Sequence, residues 1–423
     1  KNRVDAEHLL AGLINRGFQV VEDPASAEIV IVNTCGFIRE AAEESIDEIL
    51  EAAKLKHEGN CRVLAVAGCL SKRYPGMGTD LPEVDHFFTP EDVPRIPELL
   101  ARTAGAKLVP PDTPVGTRVL TQLPHSAYLK IAEGCSNRCT YCTIPGIRGG
   151  FASLPEDRLV AEARELAAQG TVELNVVAQD VTSYGADLGD PGALVRLLRR
   201  LSAVEGVAWI RLLYAYPRAF PPGLTELLAE GGPVLPYLDV PIQHIHPRIL
   251  RGMGRRSSAE EVEELLLGLQ ERVPGLVLRT TAIVGFPGET DEEFEALLDF
   301  AGRVRFHHLG AFLYSPEEGT PAAKLRPRVP RRVAGQRLDR LLALQAEVSA
   351  ARNRDFLGRV LDVLVDGVNE EGEPVGRTYG QAPEVDGFTV LRGYEGEVET
   401  GAFVKARVVE ASDYDLVAEV GEG

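Results

Sequence analysis

The sequence predicts an α/β protein in three parts, and three observations lead to that prediction. Continuous apolar runs such as AEIVIVNTC and RVLAVAGC alternate with helical periods near the start, as expected of buried parallel strands between helices. Between residues 126 and 355 strand and helix patterns alternate six times, which implies a parallel sheet curled into a partial (βα)6 barrel. From about Arg359 the pattern changes to short strands and turns, the signature of a small β-barrel. At 423 residues the chain is also too long for one hydrophobic core.

The elements follow in order. DAEHLLAGLINRGF has helical spacing through Leu9, Leu10, Leu13 and Ile14, and IREAAEESIDEILEAAK is a charged amphipathic helix. The strands beside them end in Cys35 and Cys69, the end at which open α/β sheets bind ligands. The chain opens on Lys1 directly into a helix, where a parallel sheet normally has a strand first, so a strand upstream of Lys1 is expected. Residues 1–106 form this first domain. Residues 107–125 carry four prolines and no period, and read as a linker. Within 126–355 the strand candidates are AYLKIAEGC, VELNVVAQD, WIRLLYAYP, YLDVPIQH, VLRTTAIVGF and HHLGAFLYSP. A long helix from Val333 leads into the last domain, 356–423.

Composition narrows the function. Apolar content of 44% and charged content of 26% are those of a soluble globular chain, and no apolar run approaches a membrane span. A cytoplasmic location is expected. The formal charge of −18 disfavours non-specific nucleic-acid binding and suits a basic partner. More than half of it lies in the final barrel, where residues 359–423 hold 15 acidic and 5 basic side chains, net −10.

Six cysteines are too few for a disulfide scaffold, yet Cys135, Cys139 and Cys142 fall within one loop, in GCSNRCTYC. Thiolates at i, i+4 and i+7 can converge on one metal centre. Zinc is the plain alternative, but structural zinc wants four protein ligands and no local fourth is present. An iron–sulfur cubane tolerates three and leaves one iron free.

This spacing, after the first of six βα units and with Tyr141 directly before the last cysteine, resembles the radical S-adenosylmethionine superfamily. The resemblance implies a 4Fe-4S cluster on Cys135, Cys139 and Cys142 whose open iron chelates S-adenosylmethionine and whose electron releases a 5′-deoxyadenosyl radical. The layout of the whole chain is similar to the methylthiotransferases, which implies a TIM-like core, a TRAM-type last domain and a second 4Fe-4S cluster on three N-terminal cysteines. Cys35 in NTCGF and Cys69 in AGCL match two of these, and the third is expected upstream of Lys1 in a CPKN-like stretch. Cys61 lies at the other end of the strand bearing Cys69, about 26 Å away, and reads as structural.

Two branches of that family differ in substrate. One modifies an adenosine beside the anticodon of transfer RNA; the other, the RimO type, modifies an aspartate β-carbon in a small-subunit ribosomal protein. VVAQDVTSYG (Val176–Gly185), with Asp180 where the transfer-RNA branch has Asn, and RTYGQAPEVDG resemble the second. The acidic barrel points the same way, toward a basic ribosomal protein docked partly on it. A β C–H bond next to a carboxylate is not acidic enough for a side-chain base, which explains the need for a radical. An electron donor and two molecules of S-adenosylmethionine per product are implied.

Asp180 and Gln179 are the catalytic candidates, with a turn-capping role as the alternative for Asp180. Tyr141, Gln243, His244, Arg279, Gly285 and Gly288 are the cofactor-binding candidates. A structural hydrogen bond is the alternative for His244, outward ion pairs for Arg211, Arg251 and Arg279, and a plain turn for GFPGE. RPRVPRR reads as solvated linker and Trp209 as core. Two rival functions stay open: the transfer-RNA enzyme, and a non-catalytic metal-bearing scaffold that binds the ribosome through the barrel.

Overall fold

The computed structural model describes residues 1–103, 108–218 and 220–421. Its first part comprises α1 (Asn2–Ile14), β1 (Ile29–Thr34), α2 (Arg39–Glu58), β2 (Val63–Gly68), α3 (Cys69–Arg73), β3 (His86–Phe88) and α4 (Ile96–Thr103). The sheet is parallel in the order β1-β2-β3. β2 shows why its sequence is apolar throughout: Leu64 and Val66 pack under α2 with Ile49, while Ala65 and Ala67 pack on the other face with Leu9, Ile96 and Leu100. β3 is three residues long, too short to give a strand signal in the sequence. Cys61 is buried with the α2 cluster, as its structural reading expects.

Thr34 pairs with Gly68 at the carboxyl end of the sheet, so Cys35 and Cys69 begin side by side just beyond it. Gly68 sits at φ 115°, and a Cβ there would stand 2.5 Å from the Thr34 carbonyl oxygen. Only glycine permits that approach.

Described residues 108–125 form no helix or strand, and the expected boundary at 106/107 lies outside the described residues. There follow β4 (Ser126–Lys130), β5 (Ala132–Glu133), α5 (Ile144–Arg148), β6 (Ala152–Ser153), α6 (Glu156–Ala168), β7 (Glu173–Val177), α7 (Ala193–Ser202), β8 (Trp209–Leu213) and α8 (Leu224–Ala229). Then come β9 (Val234–Asp239), α9 (Pro247–Gly252), α10 (Ala259–Arg272), β10 (Val277–Val284), α11 (Asp291–Val304), β11 (His308–Leu313) and α12 (Arg331–Arg354). The six long strands form one parallel sheet in the order β4-β7-β8-β9-β10-β11. Each apolar run of the sequence supplies one of them. Each run also overshoots: AQD, AYP and PIQH continue past the strand ends into loops, with one isolated bridge from Gln243 to Ala282. Side chains from those overshoots build the site described below.

The last part is a closed barrel of β12 (Val360–Val368), β13 (Pro374–Thr378), β14 (Thr389–Arg392), β15 (Phe403–Ala411) and β16 (Leu416–Val420), in the order β12-β13-β14-β16-β15. It docks on the core through Trp209 against Phe403, ring centroids 4.9 Å apart, and through buried ion pairs. Glu173 takes Arg377 of the barrel at 2.8 Å and Arg211 at 3.1 Å, while Arg279 pairs with Asp239 at 3.4 Å and Asp386 at 3.3 Å. No helix of the described residues is long and apolar enough to cross a membrane.

A candidate active site with five thiols

Five cysteines from two parts of the chain line one cavity of about 450 Å³. Cys35 and Cys69 enter from the ends of β1 and β2; Cys135, Cys139 and Cys142 enter from the loop between β5 and α5. That loop is fastened by bonds to other parts of the core domain. The Cys135 N–H donates to the Gly149 carbonyl at 3.1 Å, Thr140 N–H to the Met253 carbonyl at 2.8 Å, and Thr140 Oγ1 to the Gly252 carbonyl at 2.7 Å. Asn137 Nδ2 donates to Asp180 Oδ2 at 2.8 Å.

The N-terminal part is latched onto this loop. Thr143, directly after Cys142, donates through Oγ1 to the Phe37 carbonyl at 2.8 Å. Arg73 Nη1 donates to the Gly36 and Phe37 carbonyls at 2.7 and 3.1 Å. Its Nη2 meets Glu317 Oε2 at 2.7 Å, and the other oxygen of Glu317 accepts the Arg39 N–H at 3.1 Å. Both side chains of this pair are buried.

Two arginines bring positive charge to the sulfurs. Arg148 Nε donates to Cys69 Sγ at 3.4 Å. Arg255 lines the cavity, stacks 4.1 Å from the Tyr216 ring centroid and donates to the Pro241 carbonyl at 2.5 Å. Burial pushes the Cys142 thiol up to about 12 and raises Cys135 and Cys69 as well. Without a cation these thiols hold their protons, so loading a metal releases them. Among the described residues no three Cys, His, Asp or Glu side chains are grouped to hold a single ion. Soft thiol donors of this kind take zinc or an iron–sulfur cluster.

Of the other residues singled out in the sequence, Tyr141, Gln179 and Gln243 line the cavity. Gln243 holds φ at 67°, clamped by its N–H to the Thr281 carbonyl and by Ile283 N–H to its own. Tyr214, also on the wall, shares that φ of 67°. A left-handed non-glycine backbone is costly and persists where the surroundings enforce it.

Asp180, His244, Arg279, Gly285 and Gly288 are not on the cavity wall, and each has a physical reason. Asp180 spends both oxygens on Asn137, Thr182 and Ser183, at 2.8, 2.6 and 2.7 Å. It ties the cysteine loop to the end of β7. His244 is fully buried; its Nδ1 accepts the His246 N–H at 3.0 Å, and burial lowers its pKa to about 3. Arg279 is consumed by the barrel seam. Gly285 packs under α12, where a Cβ would lie 2.6 Å from Ala334 Cβ. Gly288 donates no approach to the cavity; its carbonyl accepts from Arg248. Arg211 faces the seam, and Arg251 is exposed.

Sequence reasoning missed Arg148, Arg255, Asn137, Phe37, Tyr214 and Tyr216. Tyr214 and Tyr216 follow β8 within WIRLLYAYP, so their position beyond a strand end was a usable signal. Arg148 and Arg255 look like ordinary surface arginines in the sequence, and only the packing shows them buried.

Comparison with known proteins agrees with this geometry. Residues 129–301 match the radical SAM superfamily, 357–420 the TRAM domain and 1–89 the uncharacterized protein family UPF0004. The chain is 47% identical to the ribosomal protein uS12 methylthiotransferase RimO of Anaeromyxobacter sp. (strain K), covering 99% of this chain and 91% of the relative. It is 45% identical to that of Geotalea uraniireducens (strain Rf4), covering 99% and 96%. Among solved structures, the radical S-adenosylmethionine methyltransferase TsrM from Kitasatospora setae, with tryptophan and aza-SAM bound, shares the fold at a TM-score of 0.54 and 18% identity, over 76% of this chain and 72% of that one. The full-length likeness and the cysteine loop opening a six-stranded parallel sheet together make the chain a member of the RimO family of radical S-adenosylmethionine methylthiotransferases.

Proposed function

We propose that the chain attaches a methylthio group to the β-carbon of an aspartate in the small-subunit ribosomal protein uS12, with residues 1–106, 126–355 and 356–423 as its three working domains. One observation carries the reading: both thiol sets open on the same cavity. A substrate side chain placed there is within reach of both, so hydrogen removal and sulfur delivery need no movement of substrate between sites. Cys135, Cys139 and Cys142 hold the cluster that binds S-adenosylmethionine. Cys35 and Cys69, which line the same cavity, would contribute two ligands to a second 4Fe-4S cluster. When loaded, these groups supply a carbon radical and a transferable sulfur.

The chain's own residues bind, orient and shield. Tyr141, Gln243 and Gln179 flank the cofactor, and Asp180 keeps Asn137 and the cysteine loop in place. Arg255 and Arg148 balance negative charge at the two thiol sets. The substrate docks partly on the barrel, whose net −10 suits a basic ribosomal protein. That charge also speaks against a transfer-RNA substrate, which requires clustered cations. A cytoplasmic location and an external electron donor follow from the reading.

Anaerobic reconstitution with iron, sulfide, reductant and S-adenosylmethionine, offered uS12 or transfer RNA and read by mass spectrometry, tests it. A methylthio mass gain on the aspartate is expected. Gain on transfer RNA alone, or bound zinc with no 5′-deoxyadenosine produced, overturns it.

A further inference from the structure

Residues 319–338, which run from the β11–α12 connection into α12, hold six Lys and Arg and no Asp or Glu, in a chain of net charge −18. Arg337 is spent on Glu289 and Asp291. The other five, Lys324, Arg326, Arg328, Arg331 and Arg332, are all exposed. Among the described residues none of the five pairs with a carboxylate; Arg326 and Arg328 both donate to the Ala323 carbonyl, at 3.2 and 3.3 Å. Two guanidiniums on one neutral oxygen leave their charge uncompensated.

The fold gives no reason for these charges. α11 opens on Asp291, Glu292 and Glu293, and α10 has Glu260 and Glu261 in its first turn, as the positive end of a helix dipole favours. α12 opens instead on Arg331 and Arg332, with no acid in its first turn. Cations there oppose the dipole, and what suits them is a negative partner from outside the chain.

The strip also lies beside the cavity. The Ala322 N–H donates to the Thr140 carbonyl of the cysteine loop at 2.9 Å, and Ala322 packs with Tyr141 of the cavity wall. Arg138 of that loop and Arg251 near the end of α9 are exposed too, and neither has a carboxylate partner among the described residues. A basic ribosomal protein brought here bare would meet like charge. The acidic barrel attracts such a protein and the strip repels it, unless phosphate lies between them.

We propose that this strip is a docking surface for the phosphate backbone of the RNA that carries the substrate, so that the chain acts on uS12 bound to RNA in preference to the free protein. Arginine forks grip phosphate oxygens in pairs, while the barrel takes the protein. No base sequence is read, because phosphate contacts carry none. This rests on the ribosomal-protein substrate of the proposed function.

Fluorescence anisotropy on the full-length, anaerobically reconstituted protein, over a salt series, tests the proposal. The probes are uS12 alone, uS12 bound to a fragment of small-subunit ribosomal RNA, transfer RNA, and polyglutamate of the fragment's charge. The wild type is expected to bind the uS12–RNA complex more tightly than uS12. Arg326→Gln with Arg328→Gln is expected to lower the slope of log K against log salt for that complex by about 2, one for each phosphate contact. Arg331→Gln with Arg332→Gln, which relieves the α12 dipole and so does not threaten folding, is expected to do the same. Binding of uS12 alone should hold or tighten in both pairs, whereas a merely structural loss would weaken it as well. An unmoved slope in both pairs overturns the proposal, as does equal weakening for uS12 with and without RNA. Polyglutamate held as tightly as the RNA overturns it in favour of an acidic protein partner. Methylthio gain on transfer RNA and none on uS12, read by mass spectrometry, overturns the reading beneath instead, whatever the slopes.

Discussion

In the core, Cys135, Cys139 and Cys142 come from one loop, fastened by backbone bonds to its own domain. In the N-terminal part, Cys35 and Cys69 come from separate strands and meet only through the parallel register of β1 and β2. The first set is local in sequence, and its loop is tied down by Gly252, Met253 and Asp180 of the same domain. The second faces the cavity because contacts between domains, among them Arg73–Glu317, Thr143–Phe37, Arg148–Cys69 and Lys130–Asp5, hold one domain against the other. The same cavity therefore contains one site secured by chain connectivity and one secured by packing.

The contrast is broken most sharply at the ligands. Cys139→Ala is expected to abolish both 5′-deoxyadenosine formation and methylthio transfer. Cys69→Ala is expected to abolish transfer while cleavage of S-adenosylmethionine continues. Each loss should exceed the ~10–100-fold typical of an outer-sphere partner. Product analysis by mass spectrometry reads both, and parallel loss in Cys69→Ala would mean that the sites are not separable.

Next comes the latch. Glu317→Ala strands the buried Arg73 guanidinium, a change that costs about 3–5 kcal/mol for a buried pair. Faster amide exchange around Gly36–Ile38, with transfer falling more than cofactor cleavage, is the expected result. Equal falls in both would show that the latch serves the core as well.

Acid sharpens the comparison from the core side. His244 is held neutral by burial, with its pKa lowered from 6.5 to about 3. The unfolded chain binds the proton first, so stability is full above pH 6.5 and falls as pH drops toward the folded value. The slope is about 1.4 kcal/mol per pH unit. Glu289, 3.7 Å away and raised by burial, offsets part of it. Thermal unfolding between pH 6.5 and 5 should weaken in the wild type and flatten in His244→Asn, whose Oδ1 can still accept the His246 N–H.

The smallest effect is expected at Arg39. Its side chain pairs with Glu43 on the exposed face of α2, and such pairs contribute little. Arg39→Ala should leave unfolding and transfer unchanged, since the latch uses its backbone N–H and not its guanidinium.

Much of the site was legible because it is local. The cysteine spacing, Tyr141 and the overshooting strand ends that carry Gln179 and Gln243 are all written within a few residues of one another. His244 and Arg279 misled for the opposite reason. His244 sits just past the active end of β9, next to Gln243, but neighbouring side chains of an extended segment point to opposite faces. Arg279 is the third residue of β10, near the amino end of the strand. Burial against α11 and the last barrel took them away from the cavity. Gly285, expected at the cofactor, instead sits in a turn off the cavity wall, and its need is set by α12, a partner distant in sequence.

The sequence by itself determined the three-part α/β organisation, the thiol-rich loop and the acidity of the last barrel, because periodicity, spacing and composition are properties of neighbouring residues. Only the tertiary structure decided that two thiol sets share one cavity, and that Arg148 serves a sulfur outside its own domain. Those facts depend on strand register and on buried charges that must find partners once water is excluded, and such partners lie far apart along the chain.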